Sequence, residues 1–510
     1  MPSLRRGRLA LAAMLLLALS GCSLVDTLTG VDRSTPTGER VEAQYERYFE
    51  QVLEWRPCGE GAQCATAIAP LDWDSPSADT DIELALSRHK ATGGSPQGSL
   101  FFNPGGPGAS GADYVRDAPA QVVSADVRAD FDLIGWDPRG VGSSSSVTCY
   151  TDPQDFDEFL FGIPDAERGT PEFEAETEAA AIDFAQACAE NSGPVLQFVD
   201  TVSTVRDLDL LRALVGDERL NYLGYSYGTE IGARYADRFP DKVGRLVLDG
   251  VSDPSQSLFD VVLSQTKGFD RALRAYLGSC TSADCPFTGR PDADIASIAE
   301  LYARLDAQPL PNADGRLLDA AVLDTAIASA LYDEQYWPIL STAFSEVLEG
   351  EASTAFMLAD AYYGRENGRY LDRFYESFIA ISCLDYPVER DPAVLAEQNA
   401  QLRAITPLVV GLSDRPDPLC GNWRFPPRPD VRPMSAPDAA PILVVGTAGD
   451  PATPYESAVS VAEQLESAVL VSYNGTDHIA YDEGDPCVNS VVDAYLLGGA
   501  VPDGDPRCGF

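Results

Sequence analysis

A serine set between two glycines is a candidate nucleophile, and Gly224-Tyr225-Ser226-Tyr227-Gly228 supplies one in the G-x-S-x-G pattern. The five residues mean little alone. Their setting carries the argument, because the largely apolar Leu220–Leu223 precedes them and Thr229–Phe239 has helical spacing. A strand, a tight turn and a helix lift a serine hydroxyl clear of the backbone, and the helix N-terminus favours negative charge. A hydroxyl also needs a base, and the chain contains only two histidines, His89 and His478. His89 sits between Arg88 and Lys90 on an alternating segment and reads as solvent-exposed. His478 ends Asn474-Gly475-Thr476-Asp477-His478, just past the last expected strand, and is the predicted base. The imidazole needs an acid to orient it and to stabilise its cation. Asp450, in Gly449-Asp450-Pro451-Ala452-Thr453-Pro454, gives the chain order Ser, Asp, His. Asp249 is the runner-up, and Asp477 is disfavoured as the immediate neighbour of His478.

Acyl transfer also needs backbone N–H groups aimed at the developing oxyanion. The residue after the nucleophile, Tyr227, supplies one. The second is expected from Asn103-Pro104-Gly105-Gly106-Pro107-Gly108, where bare backbone can approach a substrate; Gly106 is favoured, with Gly105 the alternative. The spacing of these glycines matches neither phosphate-binding pattern, GxGxxG or GxxxxGK[ST].

The elements that must hold these groups read as an α/β sheet. Residues 81–89 alternate, as an edge strand would. Short apolar runs then end in glycine turns: Ser99–Asn103, Phe131–Gly135, Leu220–Gly224, Arg245–Val251, Ile442–Gly446 and Ala468–Tyr473. Buried runs of this length separated by helices indicate a mostly parallel sheet. Between about Asp253 and Ala436 the rhythm stops, and 255–278, 291–307, 317–331, 335–349 and 370–382 show helical spacing without strands between them. The predicted organisation is a core in two parts, 45–252 and 437–510, interrupted by a helical lid at 253–436.

The chain has 510 residues, too many for one core, and its 36 basic against 79 acidic residues leave a formal charge of −43. So acidic a chain repels phosphate backbones, which excludes nucleic acid as a partner. Arg5, Arg6 and Arg8 precede the apolar run Leu9–Leu19, which is too short to span a bilayer. Leu19-Ser20-Gly21-Cys22 then resembles a bacterial lipobox, cut before a lipid-modified cysteine. Residues 1–21 are therefore predicted to be a signal peptide and 22–44 a tether, with membrane association only through lipid on Cys22. Export suits the other ten cysteines, which fall into neighbouring couples: Cys58/Cys64, Cys149/Cys188, Cys280/Cys285, Cys383/Cys420 and Cys487/Cys508. Pairing within each couple is the simplest arrangement. No C-x-x-C occurs and histidines are scarce, so neither a metal nor another cofactor is expected.

Asn103–Gly111 (NPGGPGASG), Asp137–Ser144 (DPRGVGSS), Gly224–Thr229 (GYSYGT), Phe239–Asp253 and Gly449–Pro454 together resemble the α/β-hydrolase serine exopeptidases. The nearest group is the secreted tripeptidyl aminopeptidases of bacteria, related to proline iminopeptidases. The resemblance spans roughly 45–510 and implies Ser226 as nucleophile, Asp450 as acid and His478 as base. Asn103 departs from the proline iminopeptidases, which carry His before GGPG. The expectation is an exported serine aminopeptidase, lipid-anchored or secreted, acting on oligopeptide N-termini; an esterase or lipase, or a non-catalytic peptide-binding lipoprotein, are the rivals. Sensing a free α-ammonium calls for a carboxylate in a partly dry pocket. Asp385, in Ile381-Ser382-Cys383-Leu384-Asp385, is the first candidate, with Glu334 and Glu230 as alternatives. These patterns do not fix the oligomeric state.

Overall fold

A computed structural model describes residues 31–281, 285–409, 415–481 and 485–510. The predicted signal peptide and Cys22 lie outside them. Eight strands precede the insertion: β1 (Asp32–Arg33), β2 (Glu54–Pro57), β3 (Ala62–Pro70), β4 (Asp81–His89), β5 (Ser99–Asn103), β6 (Asp132–Trp136), β7 (Leu220–Tyr225) and β8 (Val243–Asp249). The insertion holds two small hairpins, β9 (Leu310–Pro311) with β10 (Leu317–Leu318) and β11 (Arg365–Glu366) with β12 (Arg369–Tyr370). Strands β13 (Ile442–Thr447), β14 (Ala468–Tyr473) and β15 (Arg507–Cys508) follow. One eleven-stranded sheet results, in the order β1-β2-β3-β4-β6-β5-β7-β8-β13-β14-β15. Pairing is antiparallel from β1 through β4 to β6 and parallel from there on.

The central strands are buried on both faces, which is why they read as continuous apolar runs. Successive side chains still divide between the two faces. Leu100, Phe102, Leu223, Val247, Leu443 and Val445 pack under helices 111–117, 125–130 and 486–498. Phe101, Tyr222, Leu246, Leu248, Ile442 and Val444 pack under helices 201–215, 227–238 and 455–464. The insertion has a core of its own, built on Leu273, Leu277, Leu301, Leu323, Phe344 and Phe356. Helix Phe374–Asp385 is the exception, since Ile379, Ala380, Ile381 and Leu384 join the core of the sheet.

Four expectations need correction. β4 is no edge strand: β3 pairs with it along its whole length and β1 and β2 extend the sheet further. The insertion contains β9–β12, and also helices Ser353–Tyr362 and Pro392–Ile405, which the sequence reading did not separate. Residues 31–44 are no free tether. Asp32–Arg33 pairs with β2, and Glu39 sits against the guanidinium of Arg212 (2.9 Å) and the ammonium of Lys242 (3.0 Å), which ties the segment to the core. His89 is half-buried rather than exposed, with Nε2 3.2 Å from the carbonyl of Arg116.

Five disulfides join the neighbouring cysteines, Cys58–Cys64, Cys149–Cys188, Cys280–Cys285, Cys383–Cys420 and Cys487–Cys508. Among the described residues no helix is long and apolar enough to cross a membrane.

Candidate active site

The turn after β7 puts Ser226 at φ 53°, ψ −123°, a backbone conformation that costs on the order of 1–3 kcal/mol and must be imposed by its surroundings. The flanking glycines make this geometry available. A Cβ on Gly224 would lie 2.5 Å from the Gly228 carbonyl oxygen, and one on Gly228 would lie 2.7 Å from that of Asn103. The turn is pinned where Ser226 N–H donates to the Asp249 carbonyl at 3.0 Å.

His478 comes to the same cavity from the loop after β14. Its Nδ1 is 3.0 Å from both carboxylate oxygens of Asp450, which also accepts from the N–H groups of Ala452 (2.8 Å) and Thr453 (2.9 Å) and from Thr453 Oγ1 (2.7 Å). A carboxylate at Nδ1 holds the ring proton there and leaves Nε2 as the acceptor; Nε2 is buried with no protein partner. Burial opposes charge on the imidazole, but Asp450 and Asp249 outweigh it, so the pKa lies above the usual 6.5. The insertion packs against this loop. Tyr332 accepts from His478 N–H (3.0 Å), and its ring stands perpendicular to the imidazole with centroids 5.2 Å apart. Neither alternative acid meets the ring. Asp249 accepts from the N–H groups of Ala480 and Tyr481, and Asp477 from that of Glu334.

The glycine loop after β5 lies between the serine turn and the lid. A Cβ on Gly105 would approach Ser226 Cβ to 2.8 Å, and one on Gly108 would meet the Phe374 carbonyl oxygen at 2.3 Å. Gly105 N–H turns inward to Asn103 Oδ1 at 3.0 Å, whereas Gly106 lines the cavity beside Tyr227, together with Pro104, Pro107 and Ala109 of the same loop. Tyr227 is the first residue of its helix, where the N–H has no intrahelical acceptor.

Ser226 and His478 open onto a cavity of about 710 Å³. Aromatic rings from the insertion form much of its wall, and among the described residues no Lys or Arg lines it. Asp385 and Glu230 both line it and both are buried. Asp385 accepts from Thr201 N–H (2.9 Å) and Thr201 Oγ1 (2.5 Å), and that hydroxyl is also 2.5 Å from Tyr227 Oη. Burial, with the charge of Glu230 beside it, pushes the Asp385 carboxyl up to about 8. Glu230 pairs with Arg234 at 2.9 Å, one helical turn on. Glu334 is a correction. It is exposed, does not line the cavity, and holds the hydroxyl of Thr476 in the loop that carries His478. Among the described residues, Asp485, Cys487 and Cys508 converge closely enough for an ion, but the two cysteines are spent in a disulfide.

The chain is 34% identical to serine protease Hip1 of Mycobacterium tuberculosis over 99% of both chains. It belongs to the α/β-hydrolase serine peptidases. Residues 98–291 match the family described as alpha/beta hydrolase fold, and residues 411–508 the one described as TAP-like protein. Two further relatives of this peptidase are carboxylesterase B of M. tuberculosis (36% identity, 88% of this chain and 86% of that one) and tripeptidyl aminopeptidase of Streptomyces coelicolor (30%, 89% and 86%).

Three residues outside the sequence-predicted set help to build the candidate site. Thr453 braces Asp450 and lies 3.3 Å from His478 Nδ1, Thr201 holds Asp385, and Tyr332 packs on the imidazole. Thr453 lies within the quoted Gly449–Pro454 segment and was within reach. The other two act across the fold and left no local signal.

Proposed function

We propose that this peptidase is an exported aminopeptidase that releases short peptides or single residues from oligopeptide N-termini. Ser226 Oγ attacks the scissile carbonyl while His478 Nε2 takes its proton, and Asp450 stabilises the resulting imidazolium. Gly106 and Tyr227 N–H groups hold the oxyanion, His478 returns the proton to the leaving amine, and water then releases the acyl group. The observation that carries the reading beyond acyl transfer is the pair of buried carboxyls, Asp385 and Glu230, in a cavity that no Lys or Arg lines among the described residues. Such a cavity is complementary to a free α-ammonium and repels a C-terminal carboxylate. Export, with lipid on Cys22 holding the enzyme at the outer face of the membrane, is supported by the N-terminal pattern and by the five disulfides.

Asp385→Asn tests the amine site. The Asp385 carboxyl, pushed up to about 8, gives up its proton as an ammonium docks, and losing that charge-assisted pair, worth roughly 1.5–3 kcal/mol, should raise KM for free-amine peptides by about one to two orders of magnitude. N-acylated peptides and simple esters should keep theirs within about twofold, since they bring no ammonium to the site. Equal losses for both classes would make Asp385 structural. Wild-type cleavage of N-blocked peptides as fast as free ones would sink the aminopeptidase reading. The similarity to carboxylesterase B favours a second reading, ester hydrolysis, and turnover of acyl esters with no cleavage of any free-amine peptide would establish it.

A further inference from the structure

Strand β8 runs between the strand that leads to Ser226 and the strand that leads to Asp450, and its last residue, Asp249, is in register with Tyr225 on one side and Val445 on the other. Asp249 is fully buried and grips two catalytic elements at once. Its carbonyl accepts from Ser226 N–H at 3.0 Å. Its carboxylate accepts from Tyr481 N–H at 2.8 Å and Ala480 N–H at 3.1 Å, the second and third residues after His478. Gly250 completes the grip. A Cβ there would lie 2.9 Å from the His478 carbonyl oxygen and 3.2 Å from its Cε1, so only glycine lets β8 come this close to the imidazole.

An amide side chain could accept those N–H groups at lower cost. A carboxylate in this position pays desolvation, and the charged or titratable groups that face it are His478 and a second acid, Asp450. Facing the imidazole are Asp450, Asp249 and the ring of Tyr332. The extra charge is useful at one moment, when His478 becomes a cation.

We propose that Asp249 is a positioning residue that fixes the base loop against the nucleophile turn and, when ionised, stabilises the His478 imidazolium beside Asp450. The inference rests on the triad proposed above. Burial pushes the Asp249 carboxyl up to about 7, so it can change charge in the range where the enzyme's base titrates.

The test is the rate of labelling by a fluorophosphonate, which reads serine activation independently of peptide recognition. Asp249→Asn should label about tenfold more slowly, with the acid limb of its pH profile moved down by about half to one unit, because a negative charge near the imidazolium is gone. Selective ¹⁵N-histidine labelling supplies a second readout. With two imidazoles in the chain, His89→Gln assigns both signals. The wild-type His478 titration should carry a second inflection near 7 from Asp249, and the variant should lose it. Wild-type labelling rate and acid limb in Asp249→Asn would overturn the proposal. So would slower labelling with an unmoved limb, which is the signature of a structural role alone. Should the variant not fold, a single-step His478 titration in the wild type would overturn it just as well. Labelling that survives Ser226→Ala would instead refute the triad reading.

Discussion

Ser226→Ala and His478→Ala should each reduce peptide turnover by at least about four orders of magnitude, and neither should lower thermal stability by more than a few degrees. The size of the loss follows from how little else the cavity offers. The chain has two imidazoles, and the second is held at the Arg116 carbonyl and does not line the cavity. No second imidazole can therefore replace the base. Stability should survive because Asp450 keeps three donors without the ring, from Ala452 and from Thr453 N–H and Oγ1. His89→Ala removes one surface-side contact and should leave kcat/KM within about twofold, the usual range for such changes. In the wild type the acid limb should fall above pH 6.5, since the neutral imidazole is the active form and its pKa is raised. Residual activity near wild type in either triad variant would remove Ser226 or His478 from the mechanism.

What was legible in the sequence was what local chemistry imposes. The glycines around Ser226 are forced by backbone approach distances, and the acid-bearing segment Gly449–Pro454 satisfies its own carboxylate within three residues. Strands β5, β7, β8 and β13 announced themselves because burial on both faces demands unbroken apolar runs. β3 did not, because five of its nine residues are Ala or Pro, which carry little strand preference, and its long pairing with β4 supplies what propensity lacks. Partners distant in sequence were the other blind spot. Asp385 is held by Thr201 from 184 positions away, and Glu39 by Arg212 from 173. Glu334 differs from its expected place for the same reason: Thr476 and Asp477, from another loop, fasten its segment at the surface.

Arg139→Met should destabilise the protein by about 3–5 kcal/mol, the cost of leaving a buried carboxylate without its partner. Arg139 and Asp207 are both fully buried, with Nε and Nη2 each 2.7 Å from a carboxylate oxygen. The guanidinium also donates to the carbonyls of Leu71, Phe198 and Pro70, and Trp73 Nε1 donates to Asp207. This pair explains why Asp137-Pro138-Arg139-Gly140 sits among the segments that carry the family resemblance although none of its side chains lines the cavity. Asp137 holds Ser110 and Ala112 at the end of the glycine loop, and the Gly140 carbonyl accepts from Ser377 on the lid helix. The motif is the bracket between the glycine loop and helix Phe374–Asp385, both of which line the cavity, so Arg139→Met should also raise KM before it unfolds the chain. Arg139→Met with Asp207→Leu removes both charges and should recover most of the lost stability in denaturant titrations. Burial raises the Asp207 pKa, which sets the decisive comparison. If Arg139→Met alone is as stable as the double variant, Asp207 takes up a proton when its partner leaves, and the cost of Arg139→Met comes from lost hydrogen bonds rather than from a stranded charge.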